Sequence, residues 1–207
     1  MRLRNVLGTL GVTALSVLPM KAKAEEFKPY NQLSANVSAH MGGTEGFSDI
    51  YGTAVMFGGS FGRVISPNLK IESGVSYLSK SGNPYTASFG DADITDASAH
   101  TSSLEVDVGA YFMVPTEKVT FYAGGGLTHI GFGEELSLSG TIGGQHFNED
   151  ISVSEGGWGF MLAGGVEMPV SPTVSVFGQV SYKSAKILDG QVQVGGTNIG
   201  GGLRLGF

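Results

Sequence analysis

Residues 103–113 alternate two kinds of side chain: Leu104, Val106, Val108, Ala110 and Phe112 occupy every second position, with Glu105, Asp107, Gly109 and Tyr111 between them. Successive side chains of an extended chain point to opposite faces. The segment is therefore predicted to be a strand with one wholly apolar face and one that carries two carboxylates. Three more segments do the same. Ile199, Gly201, Leu203, Leu205 and Phe207 oppose Asn198, Gly200, Gly202, Arg204 and Gly206. Phe160, Leu162, Gly164, Val166 and Met168 oppose Gly159, Met161, Ala163, Gly165 and Glu167, and Val174, Val176, Gly178, Val180 and Tyr182 oppose Ser175, Phe177, Gln179 and Ser181. Weaker alternation over 33–39, 53–63, 70–79 and 119–130 brings the total to eight. In 53–63 the phase stays open, because Val55, Phe57 and Phe61 share one face with Arg63.

A soluble β-sandwich also alternates, with its polar face in water. Here the face opposite the apolar one is dominated by glycine, of which the chain has 34. Water does not require glycine, whereas the interior of an eight-stranded barrel has room only for side chains that fill it. The gaps between strands sort in the same direction. Segments 66–68, 115–117 and 169–172 are tight and proline-marked, while 41–51, 80–101, 131–157 and 183–195 are long and polar. Short turns on one side and long loops on the other mark an outer-membrane barrel. The expected fold is all-β, an eight-stranded antiparallel up-and-down transmembrane β-barrel, with both chain ends on the periplasmic side.

The first residues read as an export signal. Arg2 and Arg4 precede an apolar run over 6–18, and Ala22 and Ala24 supply the small residues of a cleavage site. That run would span about 20 Å as a helix, short of the roughly 30 Å hydrocarbon core. The expected organisation is a signal peptide at 1–24, a short periplasmic segment at 25–30 and the barrel at 31–207. Taking the signal's four basic residues from the 12 Lys and Arg leaves 8 against 18 acids, a net charge of −10. A chain this acidic is not expected to bind nucleic acid. With no cysteine, disulfides and a lipoprotein anchor are excluded.

On these residues the chain resembles the small outer-membrane barrels related to the OmpA transmembrane domain and the opacity-type, porin-like proteins. The most specific element is the terminal strand, Gly201-Gly202-Leu203-Arg204-Leu205-Gly206-Phe207. It is similar to the C-terminal signal read by the barrel-assembly machinery, and the resemblance implies that role for Leu203, Leu205 and Phe207. The glycine-rich stretch from Phe121 to Gly126 is similar to a strand common in the family. The family's periplasmic wall-binding domain is not expected after Phe207. Barrels of this kind carry adhesins, channels and lipid-modifying enzymes, so the fold alone implies no activity.

Several residues are candidates for chemistry. Glu72, Glu105, Asp107 and Glu167 face the expected lumen with Arg204, and Lys70 and Lys183 stand near its two ends. A carboxylate in a narrow barrel must be paired or protonated. Glu72, Glu105, Asp107, Glu167 and Arg204 therefore form an expected lumen polar network in which Arg204 bridges Glu105 or Glu167. Only His129 of the four histidines sits near a strand end. Lipid A deacylases of similar size carry His-x-Ser-Asn, but His129 is followed by Ile130, Gly131 and Phe132. No catalytic residue, metal or cofactor is expected. Eleven of the 18 acids lie in the long gaps, which suits solvated loops. Tyr77, Trp158 and Tyr182 on the loop side, and Phe112, Phe121 and Phe207 on the turn side, suit the two aromatic girdles.

The expectation is thus a non-enzymatic, cell-surface barrel of a Gram-negative outer membrane with a structural or surface-recognition role. Segments 80–101 and 131–157 would carry that role, and Leu136, Leu138, Ile151 and Val153 could extend the strands beyond the membrane. Its surroundings would be outer-membrane lipid and lipopolysaccharide, with an extracellular ligand or host surface as partner. A narrow pore for small solutes or ions is the alternative, and a lipid-modifying enzyme a more distant one.

Overall fold

The computed structural model describes residues 27–43, 49–82, 84, 88–89, 92–187 and 192–207. The expected signal peptide and the loop acids Glu45, Asp91 and Asp189 lie outside the described residues.

The strands are β1 (Tyr30–Gly42), β2 (Thr53–Ser66), β3 (Leu69–Gly82), β4 (Ser88–Phe89), β5 (Ala92–Pro115), β6 (Thr120–Ile142), β7 (Gln145–Pro169), β8 (Val174–Ile187) and β9 (Val192–Gly206). Each long strand pairs antiparallel with the next, β3 pairs directly with β5, and β1 pairs with β9. The eight long strands form a closed up-and-down barrel, as the alternation predicts. The two-residue β4 adds to the outer end of β5, where Ser88 opposes Asp93. The β1–β9 ladder closes the ring from Gln32 to Gly42, and at its end Asn31 and Phe207 exchange two further backbone hydrogen bonds, each 2.9 Å. No edge strand is left in the ring, so every barrel strand is paired on both sides without help from water.

Alternation becomes sidedness. Leu104, Val106, Val108 and Phe112 of β5 lie outside, each about half exposed in the isolated chain, while Glu105 (1% exposed), Asp107 and Tyr111 are buried inside. Leu33 and Val37 on β1, Phe57 on β2, Val75 on β3, Leu127 on β6, Leu162 on β7, Val180 on β8 and Leu203 on β9 extend the outer apolar surface around the ring. An apolar patch encircling a protein has no stable place in water and fits a bilayer. All six expected girdle aromatics are on this face, and Trp158 is 71% exposed.

The phase of β2, open in the sequence, is settled by its partners. Val55, Phe57 and Phe61 face outward, whereas Ala54, Met56 and Val64 are buried. Arg63 shares the outer face, one residue before the last inward position ahead of the Ser66–Asn68 turn. A long basic side chain at the rim can lay its stem on the apolar surface and keep its charge among headgroups.

Strands are longer than the sequence segments. Segment 131–157 is mostly strand: β6 and β7 run on to Ile142 and Gln145, which oppose each other across Gly143-Gly144. Those glycines have φ of 57° and 80°, the left-handed region that a two-residue hairpin turn uses at both positions. Residues 92–101 likewise belong to β5, and the 183–195 gap is shortened by β8 and β9. Polar composition concealed these strands, because beyond the membrane neither face must be wholly apolar.

Candidate functional site

Two charged clusters cross the lumen. On the loop side, Lys183 Nζ of β8 donates to Glu105 Oε2 at 2.7 Å and Asp107 Oδ2 at 2.5 Å, both on β5. On the turn side, Arg204 of β9 pairs with Glu167 of β7 and, at 3.4 Å, with Glu72 of β3. Lys70 joins Glu72 at 2.7 Å, and Ser175 and Gln32 donate to Glu167 at 2.5 and 3.4 Å. In ring order β5 and β8 are separated by β6 and β7, so the Lys183 bridge ties together walls that share no backbone hydrogen bonds. Of the two expected partners of Arg204, Glu167 is engaged. Glu105 is instead taken by Lys183, which lies closer along the barrel.

Lys70 and Lys183 were only marginal candidates in the sequence, yet both complete the network. Their phase was available: Lys70 is two residues from Glu72, and Lys183 continues the inward series Ser175, Phe177, Gln179 and Ser181. Lys183 fell just past the alternation of 174–182, in the gap expected over 183–195, whereas β8 runs on to Ile187.

Between the clusters, large side chains fill the space that glycines leave. The Arg204 guanidinium sits 4.4 Å from the Phe177 ring centre and 5.5 Å from that of Tyr122, and Lys70 lies over Tyr111 and Tyr122 at 4.9 and 5.0 Å. Met161 sits against Tyr111, whose hydroxyl donates to its sulfur at 3.8 Å. Gly165 makes room for Tyr122: a methyl there would stand 2.6 Å from the phenolic oxygen and meet the Gly178 carbonyl. Gly165→Ala is therefore expected to cost about 1–3 kcal/mol, measured as a lower unfolding midpoint in urea. Inward glycine serves a packed lumen here, and the cavity left at mid-height holds about 60 Å³.

The histidines are dispersed. His40 bonds Asn198 inside the barrel at 2.7 Å, His100 lies near the Ser79 and Ser81 hydroxyls outside, and His129 stacks edge-on to Trp158 with ring centres 4.9 Å apart. Among the described residues no group of three His, Asp or Glu side chains could hold a metal ion. At the outer mouth, Tyr51 donates to Glu134 at 2.7 Å. Burial and that hydrogen bond push the Tyr51 phenol above its ordinary range, so it stays a donor.

Beyond the mouth, β5, β6 and β7 continue as a three-stranded sheet. β3 meets β5 only from Ala99 onward, and β7 meets β8 only from Gly159 onward. Residues 145–156 of β7 thus extend about 40 Å along the strand. Asp96, Glu134, Glu135, Glu149, Asp150 and Glu155 lie on this sheet, and residues 95–101 and 131–157 contain neither Lys nor Arg.

A closed ring with an apolar exterior, short turns at one end and a protruding sheet at the other defines a transmembrane barrel of the outer membrane. The chain belongs to the outer membrane protein beta-barrel domain family, whose pattern it matches over residues 10–207. Solved structures similar to it include a major outer membrane protein of Thermus thermophilus (10% identity, TM-score 0.54, covering 87% of this chain and 100% of that one). Neisserial surface protein A (17%, 0.51, 86% and 97%) and OprG of Pseudomonas aeruginosa (12%, 0.51, 86% and 95%) are also similar. At these identities the likeness is one of fold. No curated protein matches the sequence.

Proposed function

We propose that this barrel is a non-enzymatic surface-recognition protein: the acidic sheet of β5, β6 and β7 is the contact surface, and the lumen is a structural plug. The observation that carries this is the charge of a regularly paired sheet, six carboxylates with no Lys or Arg over residues 95–101 and 131–157. Ordering so long a hairpin outside the membrane costs backbone entropy. A chain needing only to cross the bilayer would have no use for it. The partner is a basic polypeptide surface, since complementary charge speeds encounter and selects against acidic competitors. In the same reading Leu203, Leu205 and Phe207 serve as the assembly signal, their side chains outward where another protein can reach them.

The test compares cells displaying the parent barrel with cells displaying a variant in which residues 133–154 are replaced by Asn-Gly. The shortened barrel is expected to insert and to retain its heat-dependent gel mobility, while adherence to polylysine-coated surfaces is lost and adherence to polyglutamate is unchanged. Equal polylysine adherence by both would overturn the proposal.

The pore alternative draws on the open space at the two ends, a cavity of about 300 Å³ at the mouth and one of about 490 Å³ beside the turns. It would require both ion-pair layers between them to part.

A further inference from the structure

The loop-side cluster is unbalanced. Among the described residues Lys183 is the cation bonded to both carboxylates, so Glu105 and Asp107 leave one negative charge in a region where Glu105 is 1% exposed. Directly above is the mouth cavity of about 300 Å³, within the range of small-molecule sites. Its described walls are mainly apolar, from Ile50, Leu78, Ile130 and Phe132, and Ser103 and Glu105 line its polar side together with Glu134, which the Tyr51 hydroxyl already holds. Ser103 is 9% exposed, and among the described residues its hydroxyl has no hydrogen-bond partner. A buried hydroxyl in that condition costs free energy that a ligand could return.

We propose that this cavity binds a small organic ammonium ion, such as an aryl or alkyl primary amine. The ammonium would donate to the Glu105 carboxylate and the Ser103 hydroxyl, offsetting the surplus charge, while its hydrocarbon part packs between Leu78, Ile130 and Phe132. The aromatic rings of Tyr51 and Phe132 suit a cation as well as an apolar body. An anion is disfavoured by the same surplus, and a neutral apolar molecule would leave the charge unanswered. The site adjoins the outer sheet through Phe132 and Glu134, but the charge it answers, on Glu105 and Asp107, lies inside the barrel.

The probes are phenylethylammonium and its neutral counterpart phenylethanol, titrated into the refolded protein in nanodiscs while the isoleucine methyl resonances are followed by NMR. Saturable shifts at the Ile50 and Ile130 methyls are expected, with the ammonium binding about tenfold more tightly than the alcohol, the size of one charge-assisted hydrogen bond. Glu105→Gln is expected to bring the two affinities together. Should that variant fail to fold, Asp107→Asn removes the same surplus charge and is expected to do likewise. Equal affinities in the parent protein, no saturable shift at these methyls, or a preference that survives in a folded charge-balanced variant would each overturn the proposal.

Discussion

Replacing Lys183 with methionine is expected to lower the unfolding free energy of the barrel by about 3–5 kcal/mol, the usual cost of stranding buried charge by removing its partner. The physical reason is local. Glu105 and Asp107 both point into the lumen from one strand, and Lys183 Nζ is the cation bonded to both. Without it, two carboxylates repel each other away from bulk water. Urea unfolding in lipid vesicles, followed by gel mobility, measures the loss. Adding Glu105→Gln and Asp107→Asn to Lys183→Met is expected to recover most of it, because a neutral set leaves no charge unpaired. A single variant as stable as the parent would show that water reaches these carboxylates.

Arg204→Met is expected to have the next largest effect, about 2–4 kcal/mol, since it also leaves a buried carboxylate without its cation. Lys70 remains to neutralise Glu72, so the stranded group is Glu167, which keeps its bonds from Ser175 and Gln32. That residual support places the cost below that of Lys183. The side chain also covers the rings of Phe177 and Tyr122, and methionine replaces part of that packing. Heat stability by gel mobility is the readout, and a variant indistinguishable from the parent would remove Arg204 from the framework.

Much of this was legible because lipid imposes a strict rule on the outer face. Residues 103–113 could be assigned a side at every position, and the same rule placed Glu167 and Arg204 inside. It was silent where the outer face admits an exception, as at Arg63, whose charge reaches the rim. Beyond the membrane the rule lapses altogether. Water on both faces lets Glu135, Glu149 and Asp150 stand in regular strands, and a polar hairpin of 23- and 25-residue strands was visible only through Leu136, Leu138, Ile151 and Val153. Pairing was less legible still. Sequence alternation gives the face of Lys183 but not its height against Glu105, which depends on how the strands are staggered around the ring.

The proposed separation of roles, recognition outside and a closed framework within, makes the lumen the decisive place to look. Planar-bilayer conductance of the refolded barrel, with folding verified by its heat-dependent mobility, tests this most directly. A silent membrane is expected, because the Lys183 and Arg204 layers close the passage. Stable current steps that scale with salt concentration would contradict the account and make the lumen a channel.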